Sequence, residues 1–239
     1  MRRKTSGRRP HLDGLDVPGR EFYANVLSDG VILLTAHFLS QDVRNDNGYT
    51  VNLLLRSVDR GVSWERSVIT TEHVPGADPK EPSINTTRNV LELRDGTLLY
   101  GVSAAYGHDY LWRSTDRGKT WDPEPETGFF YGEMYPSILR LGGKRLLLTF
   151  TVRSVVPPRV PPLGVHAVIG KETASGFSFD FEHDRFVLDE KTPAGQASGG
   201  GFGPTIRQDD ETLVSSYSYS GPGPWPNDIQ METVRWRLP

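Results

Sequence analysis

The 239-residue sequence contains no cysteine, which excludes disulfides, thiolate metal ligands and a thiol nucleophile. That absence leaves the compartment open, because a strand-rich core of this size needs no covalent staples. Long apolar runs are also missing. Nothing approaches the ~18 residues of a membrane-spanning helix, and the basic start (Arg2, Arg3, Lys4, Arg8, Arg9) is not followed by the apolar core of a secretion signal. The chain therefore reads as soluble, without a membrane partner, and cytoplasmic unless it is N-terminally truncated. Positive charge is in no surplus either: Lys+Arg number 27 against 30 Asp+Glu, a formal net charge of -3. This excludes the broad cationic field of sequence-independent nucleic-acid binding. The six histidines show no HxH or HExxH spacing, and no carboxylates follow a calcium-loop pattern, so no metal site is expected. The glycine-rich SGGGFGPT, Ser198 to Thr205, precedes a strand and not a helix. It lacks the context of a phosphate loop, and no cofactor is expected.

What the sequence has is turn and strand chemistry. Gly numbers 25, Pro 18, and aromatics make up 10%. The apolar runs are short and rich in Val, Ile, Leu, Tyr and Phe, as many short strands joined by tight turns require. The predicted class is all-β. Four segments share one grammar: YANVLSDGVILLTAHF from Tyr23, EPSINTTRNVLELRDGTLLYGVS from Glu81, YPSILRLGGKRLLLTFTVR from Tyr135 and GPTIRQDDETLVSSYSYS from Gly203. Each is a short apolar strand, a turn at Asp29-Gly30, Asp95-Gly96, Gly142-Gly143 or Asp209-Asp210, and a longer apolar strand.

A second element recurs with the hairpins. SVDRGVSW, Ser57 to Trp64, returns as STDRGKTW, Ser114 to Trp121, with Gly61 and Gly118 separated by 57 residues. A third copy has decayed to ETASGFSF, with Gly176 a further 58 residues on and Phe179 where the Trp would stand. Within the motif, the glycine supplies a positive φ, and the Ser and Asp side chains can accept backbone N–H groups that the turn leaves open. The Trp ring can pack into the blade. These roles are architectural. Units of 45 to 60 residues, each an antiparallel sheet of about four strands, are the blades of a β-propeller. Residues 1–20 read as a basic, solvated tail and 21–239 as the propeller, with blades at roughly 21–72, 80–130, 133–190 and 201–239.

The Ser-x-Asp-x-Gly-x-x-Trp pattern, twice intact and once degenerate, resembles the Asp-box (BNR repeat) of the sialidase, or neuraminidase, superfamily, from about Tyr23 to the C-terminus. The resemblance implies a sialidase-type propeller, with four blades visible of an expected six and the first blades outside this sequence. It further implies a glycan substrate and glycoside hydrolysis of a terminal sialic acid or related sugar. In that scheme a Tyr assisted by a Glu is the nucleophile, because an anionic carboxylate would be repelled by the substrate's own carboxylate. An Asp serves as acid or base, and Arg side chains hold the substrate carboxylate. Asp-box propellers that bind glycans or proteins without catalysis, or a truncated inactive fragment, are the alternatives.

Candidate residues follow from position. GEMYPSILRLGGKRLLLTFTVR sets Glu133 and Tyr135 at the entry to an inner strand and Arg153 at the exit of its partner, and strand alternation puts Glu133 and Tyr135 on one side. Asp109, in AAYGHDYLW with Tyr106, is the candidate acid. Glu81, Arg88, Tyr106, Tyr217 and Tyr219 are candidates for substrate contact, the last two sharing one face of SSYSYSG. The Phe-Arg-Ile-Pro motif that supplies the first Arg of bacterial sialidases is absent.

Overall fold

A computed structural model describes residues 20–38, 51–69, 73, 76, 84–86, 89–104, 108–123, 134–152, 162, 164–174, 176–190, 205–220 and 229–238. These form four antiparallel sheets arranged as the blades of a propeller. The first blade runs β1 (Arg20–Val26), β2 (Ile32–Phe38), β3 (Val51–Ser57) and β4 (Glu65–Ile69). The second has an inner strand in two pieces, β5 (Ile84–Thr86) and β6 (Leu91–Glu92), both pairing β7 (Leu98–Ala104), followed by β8 (His108–Ser114) and β9 (Asp122–Pro123). In the third, β10 (Met134–Arg140), β11 (Arg145–Val152) and β12 (Gly164–Thr173) carry an outer strand broken into β13 (Gly176–Phe179) and β14 (Arg185–Glu190). The fourth consists of β15 (Thr205–Arg207), β16 (Thr212–Ser220) and β17 (Ile229–Arg237).

The near-continuous apolar runs LLYGV and LLLTFTV are central strands covered on both faces. In β11, Leu146, Leu148, Phe150 and Val152 point at the second blade while Leu147 points at the fourth. Likewise Leu98 and Tyr100 face the first blade and Leu99 the third. Each of these buried side chains stabilises the fold by roughly 1.5–3 kcal/mol. The three apolar clusters of described residues therefore lie between consecutive blades, and none of them joins the fourth blade to the first.

The hairpin turns repeat in detail. Leu27, Leu93, Leu141 and Gln208 each donate their N–H to the carbonyl four residues on, at 2.7 to 2.9 Å. Asp29, Asp95, Gly143 and Asp210 thus hold equivalent places, two residues after that donor. Gly30 and Gly96, both at φ +87°, supply the left-handed residue where the turn is Asp-Gly.

Both Ser-x-Asp-x-Gly-x-x-Trp segments adopt one geometry. Ser57 Oγ accepts from Gly61 N at 2.7 Å, and Asp59 accepts from Ser63 N at 2.9 Å and Ser63 Oγ at 2.5 Å. Ser114, Gly118, Asp116 and Thr120 repeat this at 2.8, 2.9 and 2.6 Å. Each Trp indole N–H closes onto the carbonyl of the motif's own glycine, at 3.1 Å for Trp64 and 3.2 Å for Trp121. The decayed third copy differs: β12 runs on to Thr173, which pairs with Gly176 across a two-residue connection. With Asp replaced by Ala174, no carboxylate organises a longer turn. Phe177, Phe179 and Phe181 fill the space against the second blade instead.

Side chains tie one blade to the next. Asn25 Oδ1 accepts from Val90 N at 3.1 Å, and Asn89 Oδ1 from Ile138 N at 3.2 Å, so an inner-strand amide of one blade bonds the inner strand of the next. Ser137 Oγ takes the same role toward Thr205 N at 3.3 Å. At the turn end, Arg117 spans the first interface, bonding Asp29 at 2.6 Å and Glu92 at 2.6 Å. Glu172 bridges the second, with Arg140 at 2.6 Å and Arg94 at 3.5 Å.

Candidate functional site

An antiparallel meander puts alternate connections at opposite ends of its strands. Here the hairpin turns and the Ser-x-Asp turns occupy one end of the blades. The connections from β2 to β3, β7 to β8, β11 to β12 and β16 to β17, and those from each outer strand to the next inner strand, leave from the other end. Strand ends next to several of the candidate residues lie at that second end. Glu81, Arg88, Tyr106, Glu133 and Arg153 themselves lie outside the described residues. Asp109, Tyr135 and Tyr219 lie within β8, β10 and β16 as backbone positions.

Pairing brings some of the flanking strand ends together. Met134, which follows Glu133, pairs with Thr151, two residues before Arg153. Ile84 pairs with Ala104, so the start of β5 after Glu81 adjoins the end of β7 before Tyr106. Ser103 pairs with Asp109. The expected alternation through Glu133 and Tyr135 meets a register shift between Met134 and Ser137. Pro136 falls in it, and having no N–H it cannot make a ladder bond there.

Tyr217 is the candidate whose side-chain surroundings are defined. It is buried, 3% exposed, between the third and fourth blades. Its hydroxyl donates to Asp189 Oδ2 on β14 and to Glu232 Oε2 on β17, the latter at 3.2 Å. Burial, and then the two carboxylates beside it, push the phenol well above its ordinary range, so it is held as a hydrogen-bond donor. Sequence reasoning did not select Asp189 or Glu232. The available signal was the alternation of METVRWR, in which Glu232 shares the inward face with Val234 and Trp236.

A second polar cluster escaped notice at the same end of the third blade. His166 on β12 is fully buried and stacked on Phe150, with centroids 5.7 Å apart. Its Nε2 lies 2.8 Å from the Pro162 carbonyl and its Nδ1 2.9 Å from the Arg185 guanidinium. A guanidinium can only donate, so Nδ1 accepts and Nε2–H donates to Pro162. Burial holds the imidazole down at about 4, opposed by the Pro162 bond and assisted by the neighbouring Arg185 charge. The neutral ring thus holds the Pro162 carbonyl just ahead of β12. Among the described residues, no group of three or more His, Cys, Asp or Glu could hold a metal ion, and no helix is long and apolar enough to cross a membrane.

No family model matches the sequence. A 129-residue stretch is 29% identical to the xyloglucanase Xgh74A of Acetivibrio thermocellus, covering 49% of this chain and 14% of that protein. Among solved structures, a protein of unknown function from Dyadobacter fermentans superposes with a TM-score of 0.61 at 24% identity, covering 90% of this chain and 52% of the other. The GH93 α-L-arabinofuranosidase of Fusarium graminearum gives 0.55 at 16% identity, covering 91% and 61%. The NanB sialidase of Streptococcus pneumoniae gives 0.56 at 16%, covering 92% and 30%. The fold is that of the sialidase-type β-propellers. The chain spans only a seventh of the xyloglucanase it matches and about half of the Dyadobacter protein. At these identities the solved structures establish fold alone.

Proposed function

We propose that this chain is a glycoside hydrolase of sialidase type, removing a terminal sialic acid or related sugar from glycans at the connection-bearing end of its blades. The observation that supports this most is the pairing of Met134 with Thr151. It makes neighbours of the two strand ends that lead to Glu133 and Tyr135 on one side and to Arg153 on the other. Glu133 then takes the proton of the Tyr135 phenol as its oxygen attacks the anomeric carbon, and Asp109 gives a proton to the departing glycosidic oxygen. Arg153 holds the substrate carboxylate by charge-assisted hydrogen bonds. Glu81, Arg88, Tyr106 and Tyr219 contribute substrate contacts around that centre. Tyr217 supports the site from behind through Asp189, one of the last residues of β14 before the connection to the fourth blade.

The test is release of 4-methylumbelliferone from its α-sialoside and, in parallel, from its α-L-arabinofuranoside, by the wild type and by Glu133→Gln. The expected result is sialoside cleavage that falls at least 100-fold in the variant. Equal rates in the two proteins would remove Glu133 from the site. Cleavage of the arabinofuranoside alone would move the substrate class. Cleavage of neither compound would favour the two alternatives, a propeller that binds glycans or proteins without catalysis or a truncated inactive fragment.

A further inference from the structure

Strand β14 is fastened on both of its faces by titratable groups. Its ladder to β12 carries a bulge: His166 pairs with Val187 and Val165 with Asp189, which leaves Leu188 as an extra residue. A bulge re-aims the side chains beyond it. Without this one Asp189 would lie opposite Gly164 and face the second blade; with it Asp189 faces the fourth, where the Tyr217 hydroxyl donates to it. Phe186 and Leu188 pack on that same side, the Phe186 ring 6.0 Å from that of Trp236. On the opposite face Arg185 reaches diagonally across the ladder to His166 Nδ1, at 2.9 Å. The end of the strand closes over Gly164, where a Cβ would run into the Asp189 carbonyl.

The Arg185 fastening lasts only while Nδ1 keeps its lone pair. A protonated ring would set an N–H and a positive charge against a guanidinium that has donors alone, and His166 is fully buried, so water cannot screen the pair. No anion stands ready to compensate among the described residues. Arg185 is the charge that acts on the ring; β11 sets Phe150 against it, and the second blade brings Leu93, Leu99 and Leu111 to this interface. The interface's buried carboxylate, Glu172, lies at the turn end of β12 and is taken by Arg140 and Arg94. The Pro162 carbonyl, 2.8 Å from Nε2, accepts from the neutral and the protonated ring alike. The ring therefore keeps Pro162, and the guanidinium is the group that leaves.

We propose that β14 is an acid-released strap with His166 as its trigger: protonation of the ring expels Arg185 toward solvent and frees β14 from β12, while the central strands stay paired. Phe186 then leaves the Trp236 ring, so an apolar strip between the third and fourth blades opens in acid. Burial holds the imidazole at about 4, which sets the pH of release. The strap works whether or not the chain hydrolyses a glycan.

Hydrogen exchange of the whole chain, read by mass spectrometry from about pH 7 to about pH 3.5 and corrected for the intrinsic rate at each pH, tests the strap. Protection of β14 should fall by about tenfold or more as the pH passes about 4, while β7 and β11 remain protected. His166→Gln, whose amide can accept from Arg185 and donate to Pro162 but takes up no proton, should keep β14 protected throughout. In the wild type the His166 C2–H resonance should titrate over the same range as the release, a readout that needs no variant. Four results would each overturn the proposal: unchanged protection of β14, a simultaneous loss in β7 and β11, a ring that titrates elsewhere, or release retained in folded His166→Gln.

Discussion

The turns at Ser57–Trp64 and Ser114–Trp121 share five identical residues, the same hydrogen bonds and the same left-handed arginine, yet their surroundings differ. The second lies against a neighbouring blade: Arg117 is ion-paired on both sides, and Trp121 packs on the first interface with its ring 5.6 Å from Tyr100. The first has no blade before it among the described residues, and its valines and Arg60 face outward. Local sequence therefore sets the turn, and the neighbour sets what the turn does.

The comparison can be broken first at the glycines. A Cβ on Gly118 would lie 2.9 Å from Leu33 Cδ2 at a φ of +83°, whereas one on Gly61 meets only the Trp64 ring at 3.4 Å. Gly118→Ala should cost about 2–3 kcal/mol and Gly61→Ala about 1–2 kcal/mol, since only the former adds overlap to backbone strain. Urea unfolding of the two variants would measure the gap, and equal losses would mean that the interface yields freely.

Next come the arginines. Arg117→Ala should lose about 1–2 kcal/mol, a partly exposed ion pair counting for less than a buried one, while Arg60→Ala should be neutral. A third pair of variants should erase the difference. Ser57→Ala and Ser114→Ala each leave the motif glycine's N–H without its acceptor and should cost about 1 kcal/mol alike. Unequal values would show that the neighbouring blade, and not the motif, maintains the turn.

The remaining effects concern acid. Asp59 is held at about 2 by the Ser63 hydroxyl and N–H and the Ser57 hydroxyl. Asp116 reaches about 2 because the Thr120 and Ser114 bonds outweigh the opposing effect of burial. A carboxyl depressed by folding stabilises the fold above its ordinary value near 3.8, and that contribution is lost as pH falls from there toward 2. His166 acts earlier. Neutral in the fold down to about 4, it withdraws stability as pH falls from about 6.5, where the unfolded ring gains its proton. Melting temperature against pH should therefore decline in two windows, and His166→Phe should remove the upper one.

The blades, their hairpins and the identity of each turn were legible because they depend on short-range chemistry. Asp-Gly sets a turn, alternation sets a face, and RLLLTFTV can only be a strand covered on both sides. The candidate site was legible mainly as positions along the chain. Glu133 and Arg153 are 20 residues apart in sequence, and it is the β10–β11 pairing that makes the strand ends beside them neighbours. Glu232 lies opposite Tyr217 on the next strand of the same blade and was signalled by alternation alone, whereas Asp189 was not legible, since it comes from the third blade and no periodicity within a segment reports a contact between two sheets.

The sequence by itself determined the all-β class, the repeating blade and the form of its rim turns, because each rests on residues a few positions apart. Only the tertiary structure decided that His166 and Tyr217 are buried and engaged, and that Arg117 is locked while Arg60 faces outward. Those outcomes depend on which sheet face lies opposite, and packing of one blade on the next is what chooses it.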